Sequence, residues 1–274
     1  MKRASIIISF YNNPKALKLI LAALQMQSEK DFEAIIADDG SKKEVVNEID
    51  SIKKNYSFPV KHLWHEDQGF RKNRILNQAV LAAESNYLIF IDGDCIPHRH
   101  FIHDHLHFSR KNRIVAGRRV NLSEKLSKSL TPENILKGKL NRWLPSLLME
   151  SFGGKARYVE KAIYLPFESI NKALGSTKKG VLGCNFSVHK DGLYAINGFD
   201  MRYEMPCVGE DVDPEYRLKL LGYDVFTPKF RLIQYHLFHL RQSRDGEKIN
   251  FEIFNETRKH QISRCDVGLD QLQA

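Results

Sequence analysis

The chain has 274 residues, 42% of them hydrophobic and 10% aromatic, enough to bury a proper core as one large α/β domain or two small ones. Its formal charge of +9 calls for a partner, and nucleic acid, an anionic membrane surface and a phosphorylated substrate are the classes that fit. The basic residues are spread out, without zinc-finger spacing, an RNA-binding aromatic signature or a basic heptad, so nucleic acid is set aside, and no apolar stretch is long enough to span a bilayer.

The first half alternates strand and helix patterns. Met1–Ser5 runs straight into an apolar strand, Ser5–Phe10, without the longer apolar region and cleavage site of a signal peptide. Pro14 suits a helix start, and Ala16–Gln27 has helical apolar spacing. A second strand, Phe32–Ala37, ends in Asp38-Asp39-Gly40-Ser41; Lys42–Lys54 is a charged helix and Pro59–Trp64 a third strand. Gln68-Gly69-Phe70 opens a helix over Arg71–Glu84, and Tyr87–Ile91 is the fourth strand. The series predicts a mostly parallel, doubly wound α/β sheet. Neither Gly-x-Gly-x-x-Gly nor Gly-x-x-x-x-Gly-Lys-Ser/Thr occurs, which argues against a dinucleotide site and a P-loop.

Ser123–Lys179 is rich in Lys, Ser and Leu and is broken at Pro132, Pro145, Gly153-Gly154 and Pro166, so it reads as an insertion of short helices and loops. Within it Leu140, Trp143, Leu144, Leu147 and Leu148 have helix-compatible spacing beside basic residues. That stretch is either a helix lying in the plane of an anionic membrane or a lid over an acceptor, and Pro145 counts against one uninterrupted helix. Order returns at the strand-like Gly180–Val188, followed by Asp191–Ile196, Asn197-Gly198-Phe199-Asp200, Gly209-Glu210-Asp211 and the amphipathic Tyr216–Leu221. Two strand-like pieces, Tyr223–Thr227 and Phe230–His236, precede a polar tail over 241–274. The four cysteines are scattered, with no Cys-x-x-Cys pair, as expected of reduced thiols in a cytoplasmic protein.

Asp92-Gly93-Asp94 is the sharpest signal. It delivers two carboxylates to the carboxyl end of a buried strand, the edge where open α/β sheets bind ligands. Two such charges repel unless a cation or donors stand between them, and a hard divalent ion carrying nucleotide phosphates fits. The competing reading is an ordinary Asp-Gly surface turn. Three further clusters sit at expected strand ends or helix starts: Asp38-Asp39, Gly183-Cys184-Asn185 and Gly209-Glu210-Asp211. Helix capping accounts for any one of them but not for all in this order.

The histidines divide into two groups. His98, His100, His103, His105 and His107 crowd one segment; no matched third ligand stands out, so a packed or solvated helix is favoured over a zinc site. His236 and His239 follow a strand, either as metal ligands or as sheet-end histidines with backbone partners.

The order of these motifs, with Ile6-Ile7-Ile8-Ser9-Phe10-Tyr11-Asn12 and Asp67-Gln68-Gly69-Phe70-Arg71 plus Asn77, resembles the inverting family 2 glycosyltransferases of GT-A fold over roughly residues 4–240. The second half is also similar to β-1,4-galactosyltransferases and the galactosaminyl domain of chondroitin polymerases. The resemblance implies a GT-A (nucleotide-diphospho-sugar transferase) domain over 1–240, with a nucleotide half over 1–120, the basic helical insertion over 123–179 and an acceptor half over 180–240. It implies transfer of a hexosyl or N-acetylhexosaminyl group from a UDP-sugar to a glycan or lipid-linked saccharide, with Mn²⁺ or Mg²⁺. Such work belongs to polysaccharide, lipopolysaccharide or capsule synthesis, in the cytoplasm or peripherally on the inner face of the membrane.

Residue by residue, the resemblance puts Ser9, Tyr11 and Asp39, with Asp38 beside them, at the base and ribose. Gly69, Gly93 and Asn185 belong to the donor site. Asp92 is assigned the ribose or a metal-bound water, Asp94 the metal, Asp211 the general base and Glu210 a sugar hydroxyl. Many relatives have Arg-Asn where this chain has Leu76-Asn77, so Arg71 and Arg74 are candidates for the missing cation. A late histidine is the further metal ligand, His239 ahead of His236. The reading from a different class is a catalytically silent sugar-nucleotide binder or assembly scaffold, against which intact Asp94, Glu210 and Asp211 weigh.

Overall fold

Alternating side chains of the first strand feed two cores: Ile6 and Ile8 pack on one face of the main sheet and Ile7 on the other. The computed structural model describes residues 2–152, 154–177, 179–206, 211–240 and 246–273. The chain begins β1 (Ala4–Phe10), α1 (Pro14–Gln25), β2 (Phe32–Asp38), α2 (Lys43–Ile52), β3 (Val60–Trp64), α3 (Lys72–Ala82) and β4 (Tyr87–Asp92). Pro14 takes the first helical position of α1, and the Asn13 side chain accepts from the Ala16 N–H.

Next come β5 (Cys95–Pro97), α4 (Phe101–Phe108), β6 (Arg113–Ala116) and β7 (Arg118–Asn121). The insertion holds α5 (Glu124–Lys128), α6 (Pro132–Leu136), α7 (Leu144–Phe152) and α8 (Glu168–Ala173). Then follow β8 (Asn185–His189), α9 (Lys190–Ala195), α10 (Val212–Leu220), β9 (Asp224–Phe226), β10 (Ile233–His236), α11 (Glu247–Lys259) and α12 (Asp270–Gln273).

The main sheet has the order β3-β2-β1-β4-β8-β6-β9. Its first four strands are parallel, as the alternating pattern predicts; β8 runs antiparallel to both β4 and β6, and β9 is parallel to β6. A second sheet, β5-β10-β7, stands beside the end of β4. Its strands β5 and β7 are too short to leave a periodic signal in the sequence.

Two expectations change. The strand expected over Gly180–Val188 begins only at Asn185, because residues 180–183 leave the sheet to meet α10: the Val181 N–H donates to Glu215 Oε2 at 2.6 Å and the Gly183 N–H to Asp211 Oδ2 at 3.1 Å. In the insertion, Leu140, Trp143 and Leu147 are buried in the same core as β1 and α1, with the Trp143 ring 5.6 Å from that of Tyr235. Pro145 lies in the first turn of α7, where its missing N–H has no intrahelical acceptor to lose, so it opens that helix instead of breaking it. The polar tail folds back: Leu269 and Cys265 are buried, and the Asn197 side chain donates to the Cys265 carbonyl at 2.8 Å.

Candidate active site

Parallel pairing carries Ser9 of β1 opposite Asp92 of β4, so the strand ends open together onto a narrow cleft with about 300 Å³ of space, part of it open solvent. Ser9, Lys72, Leu76, Asp92, Phe199 and Asp211 are among its lining residues. Immediately after Asp92 the chain passes so close to β1 that a Cβ at Gly93 would stand 2.7 Å from the Ser9 carbonyl oxygen. Only glycine fits there, and the carboxylates on either side are thereby held at the sheet edge.

Asp94 meets the second sheet. Antiparallel pairing sets His236 of β10 against Cys95 of β5, and the Leu237 N–H donates to the Asp94 carbonyl at 2.9 Å. As a result Asp94 Oδ2 lies 3.3 Å from Nε2 of His236 and 3.3 Å from Nε2 of His239, and those two nitrogens are 3.3 Å apart. The Leu240 carbonyl accepts the Nδ1 proton of His239 at 2.7 Å, leaving Nε2 to face the carboxylate. Burial works to raise the Asp94 carboxyl, but hydrogen bonds from His236 and His239 outweigh it and hold it well below the usual carboxylate range. The same hydrogen bond raises His239.

Acceptor atoms that converge this closely need positive charge among them, supplied by a protonated ring or a metal ion. Cys95 joins Asp94 and His236 in the group whose ligand atoms lie within 4.8 Å of one another. Its buried thiol is pushed well above the ordinary range, chiefly by desolvation, and donates to Asp94 Oδ1 at 3.3 Å. One carboxylate and two imidazoles are therefore the donors that fit a divalent ion, and imidazole nitrogen favours a transition metal over Mg²⁺.

Asp211 stands at the N-cap of α10. That helix is anchored by Arg217, fully buried, which donates to Asp213 Oδ2 at 2.7 Å and to the Ile196 and Gly198 carbonyls at 2.5 and 2.9 Å. Burial raises the Asp211 carboxyl; the Gly183 N–H and Lys72 pull it the other way, and Asp92 adds to the rise. Glu210 lies outside the described residues.

Lys72 is the cation that sequence reasoning missed. Its Nζ sits 3.1 Å from Asp92 Oδ1 and faces the cleft. The structure does not bring the proposed substitutes there: the Arg71 guanidinium pairs with Glu204 at 3.2 Å, and Arg74 is exposed. Arg71 is the N-cap of α3 and stands outside its helical turn, whereas Lys72 is the first helical residue and Arg74 lies ~200° further round the helix.

On the nucleoside side, Tyr11 is exposed and its hydroxyl donates to Asp67 Oδ2 at 3.0 Å, a partner the motif reading left without a role. Asp39 accepts the Arg71 N–H at 3.0 Å and bonds His65 at 2.9 Å, and the carboxylate of Asp67 accepts the Gly69 N–H at 3.0 Å. These contacts close the loop containing Gly69 over the end of β2. Asp38 is wholly buried, accepting from the Ser41 N–H at 2.9 Å and bonding His62 at 2.9 Å, so its contacts brace the loop. Asn185 is likewise fully buried; its amide donates to the Arg118 and Leu232 carbonyls at 3.1 and 2.9 Å, and its oxygen meets His105 at 3.2 Å. Asn77 clamps α3 to Phe199, donating to its carbonyl at 2.7 Å and accepting its N–H at 2.8 Å. In the crowded histidine segment His98 and His105 are buried and driven down to about 3 by desolvation, packed neutral rings as the sequence favoured.

Comparison with known proteins gives the family and the fold. The family model described as glycosyl transferase family 2 matches residues 5–173. Chondroitin synthase of Escherichia coli is 36% identical over 97 residues, covering 34% of this chain and 13% of that protein. A glycosyltransferase of Haemophilus influenzae without an assigned activity is 35% identical over 91 residues, 33% of this chain and 29% of its own. The chain thus spans less than a third of each of these relatives, 13% and 29%. Among solved structures, TarS of S. aureus superposes with a TM-score of 0.58 at 14% identity, covering 98% of this chain and 41% of its own. A mannosyltransferase of Pyrobaculum calidifontis, in complex with GDP-Man and Mn²⁺, gives 0.57 at 15% identity, covering 87% and 58%. These two likenesses carry the GT-A fold.

Proposed function

The chain belongs to glycosyl transferase family 2, and on that premise we propose that it is an inverting, metal-dependent enzyme moving a sugar from a UDP-sugar to a hydroxyl of a glycan or lipid-linked saccharide. One observation carries the reading: Asp92 and the raised Asp211 line the same cleft, while Asp94, two residues beyond Asp92, converges with two imidazoles.

The chemistry divides between those two groups. The acceptor hydroxyl oxygen attacks the anomeric carbon from the face opposite the diphosphate, whose C–O bond breaks with the electron pair leaving on phosphate. Asp211 takes the hydroxyl proton, and a carboxylate raised by burial is a better proton acceptor than an exposed one; such help is worth ~10²–10⁴-fold. A divalent ion held by Asp94, His236 and His239 would stabilise charge on the departing diphosphate. Lys72 neutralises Asp92, which keeps a second carboxylate compatible with an ionised Asp211 in the same cleft. Ser9, Tyr11, Asp39 and the Gly69 loop form the wall for base and ribose.

A membrane-facing role in surface-polysaccharide synthesis has its own support. Leu148, Met149 and Phe152 project from α7, with Met149 76% and Phe152 90% exposed, near Arg142 and Lys155. The stripe read in the sequence is thus divided: Leu140, Trp143 and Leu147 face the core, while Leu144 and Leu148 are exposed. No helix among the described residues is long and apolar enough to cross a membrane, so contact would be in the surface plane.

Release of nucleoside diphosphate from a panel of UDP- and GDP-sugars, with and without Mn²⁺, tests the function. Metal-dependent UDP release supports it; UDP binding without release from any donor returns the scaffold reading.

A further inference from the structure

A second pocket, with about 480 Å³ of space open to solvent, lies between the insertion and the β9–β10 connection. Arg118, Lys161, Lys179, Lys229 and Arg231 line it against one carboxylate, Glu160. Arg231 is already neutralised, with Nη1 2.5 Å from Asp104 Oδ1. Among the described residues no carboxylate reaches Lys161, Lys179 or Lys229 within ion-pairing distance. Two of these ammonium groups stand over rings instead: Lys161 Nζ lies 3.7 Å from the Tyr158 centroid and Lys229 Nζ 5.3 Å from that of Phe230. Burial, and then crowding by Arg118, Lys179 and Lys229, lower the Lys161 ammonium in spite of Glu160. Cations gathered in a concavity with too little counter-charge repel one another, and an anion entering it would relieve that repulsion.

We propose that this pocket binds a phosphate group carried by the acceptor. Three uncompensated lysines suit phosphate better than a carboxylate, because ammonium groups act as point charges and a phosphomonoester carries about −1.5 to −2 against −1. Its position ties it to the acceptor. Arg118 Nη2 donates to the Gly180 carbonyl at 2.9 Å, and Gly183, on the same segment, donates its N–H to Asp211. Gly180 and Gly183 can be at most ~10 Å apart, so the Arg118 edge of the pocket and Asp211 lie within reach of one saccharide of a few units. The acceptor assignment rests on the proposed glycosyl transfer; phosphate binding does not.

The test titrates inorganic phosphate, glycerol phosphate and acetate at constant ionic strength into protein carrying Asp94→Ala, so that the metal-assisted diphosphate site contributes nothing. The same titrations are made after adding Lys161→Gln with Lys229→Gln, and separately Lys179→Gln, with melting curves to establish that each variant is folded. Saturable phosphate and glycerol phosphate binding, weakened about tenfold or more by the lysine pair as expected for two lost charge-assisted bonds, is the expected result. Unchanged phosphate affinity in folded variants overturns the site, acetate binding as tightly as phosphate overturns the ligand class, and an ester that fails to compete with inorganic phosphate overturns the acceptor assignment. Phosphate binding here in a protein that releases no UDP leaves the site standing while the enzymatic reading falls.

Discussion

The Asp211 carboxylate accepts the backbone N–H of Gly183 at 3.1 Å, and a Cβ at residue 183 would stand only 2.9 Å from that of Asp211. The proposed base is therefore held by backbone brought so close that no other residue fits. Gly183→Ala must push Asp211 away, and misplacement of a catalytic group by about 1 Å costs ~10²-fold. We expect kcat to fall by roughly that factor with UDP affinity nearly unchanged, read from initial rates and calorimetry.

Asp211→Asn should abolish transfer, lowering kcat by ~10²–10⁴-fold while sparing UDP binding, because a base acts only as the transition state forms. A variant retaining a tenth of the wild-type kcat would contradict the assignment.

The same substitution has a signed effect on stability. The folded-state pKa of Asp211 is raised, so its contribution is most favourable below the unfolded pKa and is lost as pH rises through the folded value. At neutral pH the charged, buried carboxylate opposes folding, and the neutral amide should raise Tm; the gain should shrink in acid. Melting curves of both proteins between pH 4 and 8, with no gain at the upper end, would argue against burial as the cause.

Lys72→Met removes a positive neighbour that lowers Asp211. Turnover requires the ionised base, so the acid limb of the pH–kcat profile should lie above the ordinary aspartate range in the wild type and move higher in this variant. A limb that stays in place would separate Lys72 from the base.

Asp94→Ala should lose metal-dependent UDP affinity together with turnover, and chelation of the wild type should reproduce the loss. His236→Ala and His239→Ala, compared by Mn²⁺ titration, rank the two imidazoles. Unchanged Mn²⁺-dependent UDP affinity in the Asp94 variant would put the metal elsewhere.

For α7, co-sedimentation with anionic and neutral vesicles at low and high salt gives the readout. Met149→Ser with Phe152→Ser should weaken salt-sensitive binding to anionic vesicles, since apolar burial and lysine attraction act together. Absence of such binding in the wild type leaves α7 to the acceptor-lid reading.

The parallel half of the sheet was legible because β1, β2 and β4 are continuous buried runs, with helical patterns between the strands. Asp92-Gly93-Asp94 was legible for a related reason: its chemistry is local, two charges one residue apart at a strand end. What the chain could not declare by itself were relationships between distant segments. The register of β10 on β5 sets His236 and His239 against Asp94. The use of Asp38 and Asn185 as braces depends on His62, His105 and carbonyls far along the chain. The choice of Lys72 over Arg71 and Arg74 followed from neighbours in space: Arg71 caps α3 and pairs with Glu204, Arg74 stays exposed, and Lys72 meets Asp92. Local pattern determines which face of an element is apolar; only the packed neighbours determine the phase and register at which its few polar side chains meet.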